Sequence, residues 1–137
     1  MSIQRIDTVQ RRSEVVIHDN MIYIGGQVAD NTSGDIGDQT RAILENIDRL
    51  LAQAGSDRTY LLSVRILLAD ITDYAGMNAV WDEWVPPGYA PTRACTLEQL
   101  IDPGWRLEII AVAAKPRADE VNTRYEGFVE KISARHD

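Results

Sequence analysis

The apolar and polar positions of the chain resolve into short strands and two helices. From Ile36 to Ala54 the residues Ile36, Ile43, Leu44, Ile47, Leu50, Leu51 and Ala54 fall on one stripe at helical period. Asp35 stands where an N-cap belongs, Asp38 lies in the first turn, and Gly55 occupies the C′ position. A second, shorter pattern over Thr72–Val85 places Tyr74, Met77, Trp81, Trp84 and Val85 on one side. Pro86-Pro87-Gly88 then stops it, because proline cannot continue the hydrogen-bond ladder. A Trp/Met stripe at this spacing reads as core.

The remaining pattern is that of strands. Glu14–His18 and Met21–Val28 flank Asp19-Asn20 and predict a hairpin. Thr59–Ala69 is nearly all apolar apart from Ser63 and Arg65. Pro91–Leu97 and Arg106–Ala114 read as a further pair, turning at Asp102-Pro103-Gly104. With a short strand near Ile3–Asp7 the order is β-β-β-α-β-α-β-β, an α+β domain with both helices on one face of a sheet. The other face has no cover within this pattern, which predicts self-association through it. Residues 1–115 read as one domain. Residues 116–137 form a C-terminal extension in which Val121, Tyr125, Phe128, Val129 and Ile132 offer a helical stripe.

Composition narrows the functional classes. The apolar fraction of 45% and charged fraction of 26% are those of a soluble globular domain. A single cysteine, Cys95, excludes an internal disulfide framework and points to a reducing, cytoplasmic setting. No apolar run is long enough for a membrane span, and residues 1–9 lack the pattern of a signal peptide. The 21 acidic residues outnumber the 14 Lys and Arg, which disfavours nucleic acid as a partner. His18, His136 and Cys95 give no metal-ligand spacing, and Ile24-Gly25-Gly26-Gln27 is not a phosphate loop, so neither metal nor cofactor is expected.

What remains is a pair of charges on the last two strands. Leu107–Ala114 is apolar on both faces and predicts a strand buried on both sides, yet it carries Glu108. A carboxylate there must be paired, hydrogen-bonded or neutralised. Arg93 shares a face with Cys95 and Leu97 on the preceding strand segment. Two readings stay open on pattern alone: a structural Arg93–Glu108 ion pair, or an arginine that clamps a small carboxylate beside an acid that handles a proton or water.

Four segments carry a family resemblance. Asn20-Met21-Ile22-Tyr23-Ile24-Gly25-Gly26-Gln27 resembles the N-M-I-x-x-S-G-Q segment of the RidA/YjgF family. Asp70–Trp81 is similar to its D-L-x-D-F-x-x-x-N-x-x-Y/W stretch, and Pro91-Thr92-Arg93-Ala94-Cys95 to its P-A-R-S/A-x signature. Leu107-Glu108-Ile109 is similar to the glutamate segment of its final strand, and the Trp-rich 79–85 segment looks most like the YoaB-like branch. The resemblance implies a chorismate-mutase-like fold, a homotrimer with clefts between subunits, and cofactor-free hydrolysis of enamino and imino acids such as 2-aminoacrylate. In that scheme Arg93 and Asn78 bind substrate, the Cys95 backbone carbonyl takes the imine hydrogen, and Glu108 positions water. Two departures stand out: Arg12 falls where the best-studied branch has a substrate-contacting tyrosine, and Gly25 replaces its serine. Arg12 is then either a second clamp or a solvated cation. The alternatives to a deaminase are a non-catalytic module that binds keto acids in the same clefts, and the ribonuclease role attached to some relatives.

Overall fold

Asp35 fixes the start of the first helix in the computed structural model of the protein, which describes residues 2–120. Its Oδ1 accepts from the Asp38 N–H at 2.9 Å, and Asp38 Oδ2 accepts from the Asp35 N–H at 3.2 Å. This reciprocal cap satisfies two amides that the helix itself leaves without partners. Helix α1 runs Ile36–Gln53 and ends at Ala54, followed by Gly55 at φ 82°, the left-handed conformation a C′ glycine supplies. The strands are β1 (Ile3–Thr8), β2 (Ser13–His18), β3 (Met21–Gln27), β4 (Leu61–Leu68), β5 (Thr92–Leu97) and β6 (Leu107–Ala114). Helix α2, Tyr74–Trp84, follows a single 3₁₀ turn at Ile71–Asp73 that is capped by Asp70.

The six strands form one sheet in the order β1-β2-β3-β6-β4-β5. Every neighbouring pair is antiparallel except β4 and β5, which the α2 crossover connects in parallel. The predicted hairpin is present: His18 pairs with Met21, and Asp19 takes φ 54° in the two-residue turn. The predicted pairing of the last two strands is not. Strand β4 lies between β5 and β6, bonded to both. The α2 crossover explains why: it returns the chain alongside β4 as a parallel neighbour, which leaves the other edge of β4 to β6. The expected strand over Thr59–Ala69 also starts later, because Asp57 caps a 3₁₀ turn at Arg58–Tyr60.

Both helices pack on the same side. Ile22, Ile24, Val64, Ile66, Leu68, Leu107, Ile109 and Ala111 point there and meet Ile43, Ile47, Leu50 and Leu51 of α1 and Met77 and Trp81 of α2. A buried polar network ties the helices together. Arg58, 6% exposed, donates to both Asp48 carboxylate oxygens and to the Trp84 carbonyl, while Trp84 Nε1 donates to Asp48 Oδ2. Burial pushes the Asp48 carboxyl above its ordinary range, against the pull of Arg58.

On the opposite side Glu108, Ile110, Val112 and Ala114 of β6 alternate with fully buried neighbours and are half-buried. Strand β6 is therefore buried on one face only, where the apolar pattern predicts two. Val16, Tyr23 and Val112 line up across this open face by register. The stripe expected beyond residue 120 lies outside the described residues.

Candidate functional site

Arg93 stands on β5, an edge strand whose one neighbour is β4. Val64, Ile66 and Leu68 pair with Arg93, Cys95 and Leu97, and those three β4 residues are buried under the helices. The Arg93 side chain therefore leaves on the helix side, at the margin of the sheet. Tyr74, Asn78 and Trp81 of α2, four and three residues apart, meet it there. Arg93 Nη1 donates to Asn78 Oδ1 at 2.7 Å, and Nη2 donates to the Tyr74 hydroxyl at 3.4 Å. The guanidinium carbon lies 5.5 Å from the centre of the Trp81 ring, within cation–π range. Among the described residues no carboxylate forms an ion pair with Arg93. The guanidinium is held on three sides by neutral groups, an arrangement suited to an incoming anion.

Cys95 follows on the same face and is half-buried. Burial pushes its thiol up from the ordinary value, outweighing the nearby Arg93 charge that pulls the other way. It is a thiol at neutral pH, a weak nucleophile.

Glu108 projects from the other face of the sheet. A register shift between Ile24 and Gln27 lets β3 bulge beside it. A Cβ on Gly26 would stand 2.5 Å from Glu108 Oε2, so this glycine is what leaves room for the carboxylate. Gln27 Nε2 donates to Glu14 Oε2 at 2.6 Å and to the Gly25 carbonyl at 3.0 Å. Arg12 closes the row through Glu14 Oε1, with Nε at 3.1 Å and Nη2 at 3.0 Å. Its side chain is 67% exposed, a solvated cation already partnered.

The sequence-predicted residues thus form two groups. Arg93, Asn78 and Cys95 come together on the helix-side margin; Glu108, Gly25 and Arg12 lie toward the open face. The structural Arg93–Glu108 ion pair does not form, because β4 separates their strands and their side chains leave on opposite sides. Sequence reasoning missed Tyr74 and Trp81 as neighbours of the arginine, and Gly26 as the seat of Glu108. The i, i+4, i+7 spacing of Tyr74, Asn78 and Trp81 was the available signal. A cleft of about 600 Å³ opens between Ala69, Leu97, Ile101 and Trp105, and none of the predicted site residues lines it. Among the described residues no helix is long and apolar enough to cross a membrane, and no group of three or more His, Cys, Asp or Glu side chains could hold a metal ion.

Known proteins resemble this chain over most of its length. Residues 2–115 match the family described as Endoribonuclease L-PSP. The RutC family protein YoaB of Escherichia coli is 43% identical over 114 residues, which cover 83% of this chain and 99% of that protein. A human protein named 2-iminobutanoate/2-iminopropanoate deaminase is 32% identical over 107 residues, 74% of this chain and 77% of that one. The crystal structure of a YjgF family member from Neisseria meningitidis superposes with a TM-score of 0.84 at 42% identity, covering 86% of this chain and 98% of the other. With the family match running from the first strand through the last, and relatives this similar, the chain belongs to the RidA/YjgF family.

Proposed function

We propose that this protein hydrolyses short imino and enamino acids to keto acids and ammonia, in clefts formed between copies of the chain. The observation that carries the reading is the split site. An arginine without an ion-pair partner among the described residues faces one way, and a carboxylate seated on a glycine bulge faces the other. A ring of copies would bring the Arg93 side of one protomer against the Glu108 side of the next. The apolar strip of exposed Tyr23 between half-buried Val16 and Val112 supplies the surface for such packing, and a homotrimer is the closed ring we favour.

In this reading Arg93 binds the substrate carboxylate with two charged hydrogen bonds, while Asn78 fixes the guanidinium plane. The Cys95 carbonyl accepts the imine N–H. Glu108 orients water toward the imine carbon, takes one of its protons and returns it to nitrogen. A C–O bond forms as the C=N double bond opens to a single bond; Glu108 then carries the hydroxyl proton to nitrogen as well, the C–N bond breaks, ammonia leaves and the carbonyl closes. The imine is already electrophilic, so holding water and carbon in line supplies most of the acceleration needed. The single thiol and the absence of a membrane-spanning helix among the described residues fit a cytoplasmic setting.

Complementation tests the shared cleft. Arg93→Ala and Glu108→Gln are each expected to be inactive toward imines generated in situ by an amino-acid oxidase. Unfolding and refolding them together in equal amounts should restore about a quarter of wild-type activity, because about one cleft in four then receives both intact residues. No recovery in verified mixed oligomers would overturn the reading. The non-catalytic alternative gains support from Gly25, which offers no side chain to substrate. It predicts keto-acid binding with turnover equal to buffer in the wild type.

A further inference from the structure

The hydroxyl of Tyr74 has a donor role that the hydrogen-bond pattern leaves open. Tyr74 begins α2, the residue is 39% exposed, and its phenolic oxygen accepts from Arg93 Nη2 at 3.4 Å. A guanidinium has donors only. The phenolic proton therefore cannot be returned to Arg93 and must point elsewhere. No acceptor for it occurs among the described residues. The two sites around it are similar in kind. Asn78 spends its carbonyl oxygen on Arg93, so its amide N–H donors are also free of that contact. The margin of the sheet thus presents the unused guanidinium donors, one phenolic O–H and one amide, with no acceptor bonded to them among the described residues.

From this we infer that Tyr74 is a substrate-contacting residue whose O–H donates to the carboxylate held by Arg93, making the site selective for acids over their neutral analogues. The inference rests on the carboxylate-clamp reading of Arg93 and adds a residue to it. Tyr74 supplies a hydrogen bond to an anionic oxygen without adding charge. The site then discriminates by the count of donors that a neutral amide, itself carrying N–H groups, cannot satisfy.

The test uses the full chain as wild type, Tyr74→Phe and Arg93→Ala. Calorimetric titration with 2-oxobutanoate and with the neutral 2-oxobutanamide is set beside steady-state rates on an enzymatically generated imino acid. Tyr74→Phe should weaken 2-oxobutanoate binding about tenfold and raise KM to a similar degree, with kcat within about twofold of wild type. Binding of the amide should be equal in the two proteins. The hydroxyl makes no other hydrogen bond among the described residues, so the thermal midpoint should not move. Equal affinity of wild type and Tyr74→Phe for the acid overturns the inference, as does a loss that is the same for acid and amide. A wild type that fails to bind 2-oxobutanoate overturns it together with the clamp. A wild type that binds the acid through Tyr74 yet does not accelerate imine hydrolysis sinks the deaminase reading and leaves this inference standing.

Discussion

Replacing Arg93 separates what the guanidinium does for substrate from what it does for the fold. On the proposed reading, in Arg93→Ala the substrate carboxylate loses two charged hydrogen bonds, each worth roughly 1.5–3 kcal/mol, and because such effects do not add fully the net loss is about 3–4 kcal/mol. At about 1.4 kcal/mol per decade that is a fall in kcat/KM of roughly 10²- to 10³-fold. The fold loses less. Gone are the bond to Asn78, of order 1 kcal/mol, the longer bond to the Tyr74 hydroxyl, worth less than about 1 kcal/mol, and the contact over Trp81, about 0.5–1 kcal/mol. Against a typical stability of about 5–15 kcal/mol the variant stays folded, with its thermal midpoint down by several degrees. Arg93→Lys keeps the charge but not the planar fork, and should recover about one decade of the loss. The assay couples an amino-acid oxidase to detection of free ammonia, with the uncatalysed rate subtracted and the melting curve of each variant recorded alongside. Arg93→Ala turning over within about threefold of wild type would refute the reasoning. So would a loss of rate fully accounted for by the unfolded fraction at the assay temperature.

Three further outcomes follow from the geometry. Gly26→Ala should displace the Glu108 carboxylate, whose Oε2 stands 2.5 Å from the added Cβ; kcat falls while circular dichroism and melting change little, and full activity would show that the carboxylate position is unimportant. Backbone hydrogen bonds at the start of α1 hold the Asp35 carboxyl below its unfolded value of 3.8, so its contribution is present above that pH and lost as the pH falls through the lower folded value. Asp35→Asn keeps a capping oxygen without the titration, and its melting temperature should decline less steeply than wild type between about pH 4 and pH 2; identical slopes would contradict this. Cys95→Ala should retain activity within a few-fold, and Cys95 in the wild type should react with iodoacetamide more slowly than a free thiol at pH 7.5, because its thiol is pushed up by burial.

The helices were legible because local chemistry marks them. Asp35, Asp38 and Gly55 give α1 its ends, and the stripe from Ile43 to Leu51 gives its buried side. The hairpin at Asp19 was legible for the same reason. The place of β4 between β5 and β6 was not, since it depends on the crossover through α2, and no residue within β5 or β6 encodes it. The faces of β6 were misread for a related reason: an apolar side chain facing water and one facing a core look alike in a sequence. Tyr74 illustrates the limit of periodicity. It shares a stripe with Met77 and Trp81, but at the first turn of α2 that stripe runs past the sheet margin, and the ring meets Arg93. The Arg58–Asp48–Trp84 network was invisible because its members come from a turn and two different helices. Of the candidate site, Arg93, Asn78 and Glu108 were readable as residues. Their distribution over two faces was not.

That distribution has a kinetic signature. Arg93 and Glu108 leave one sheet on opposite sides, with β4 between their strands, so no rotamer change within a folded chain can join them. For chemistry that needs both, specific activity cannot be constant on dilution. It should decline below the dissociation constant of the assembly, recover on reconcentration, and show a lag when freshly refolded chains are assayed at nanomolar concentration.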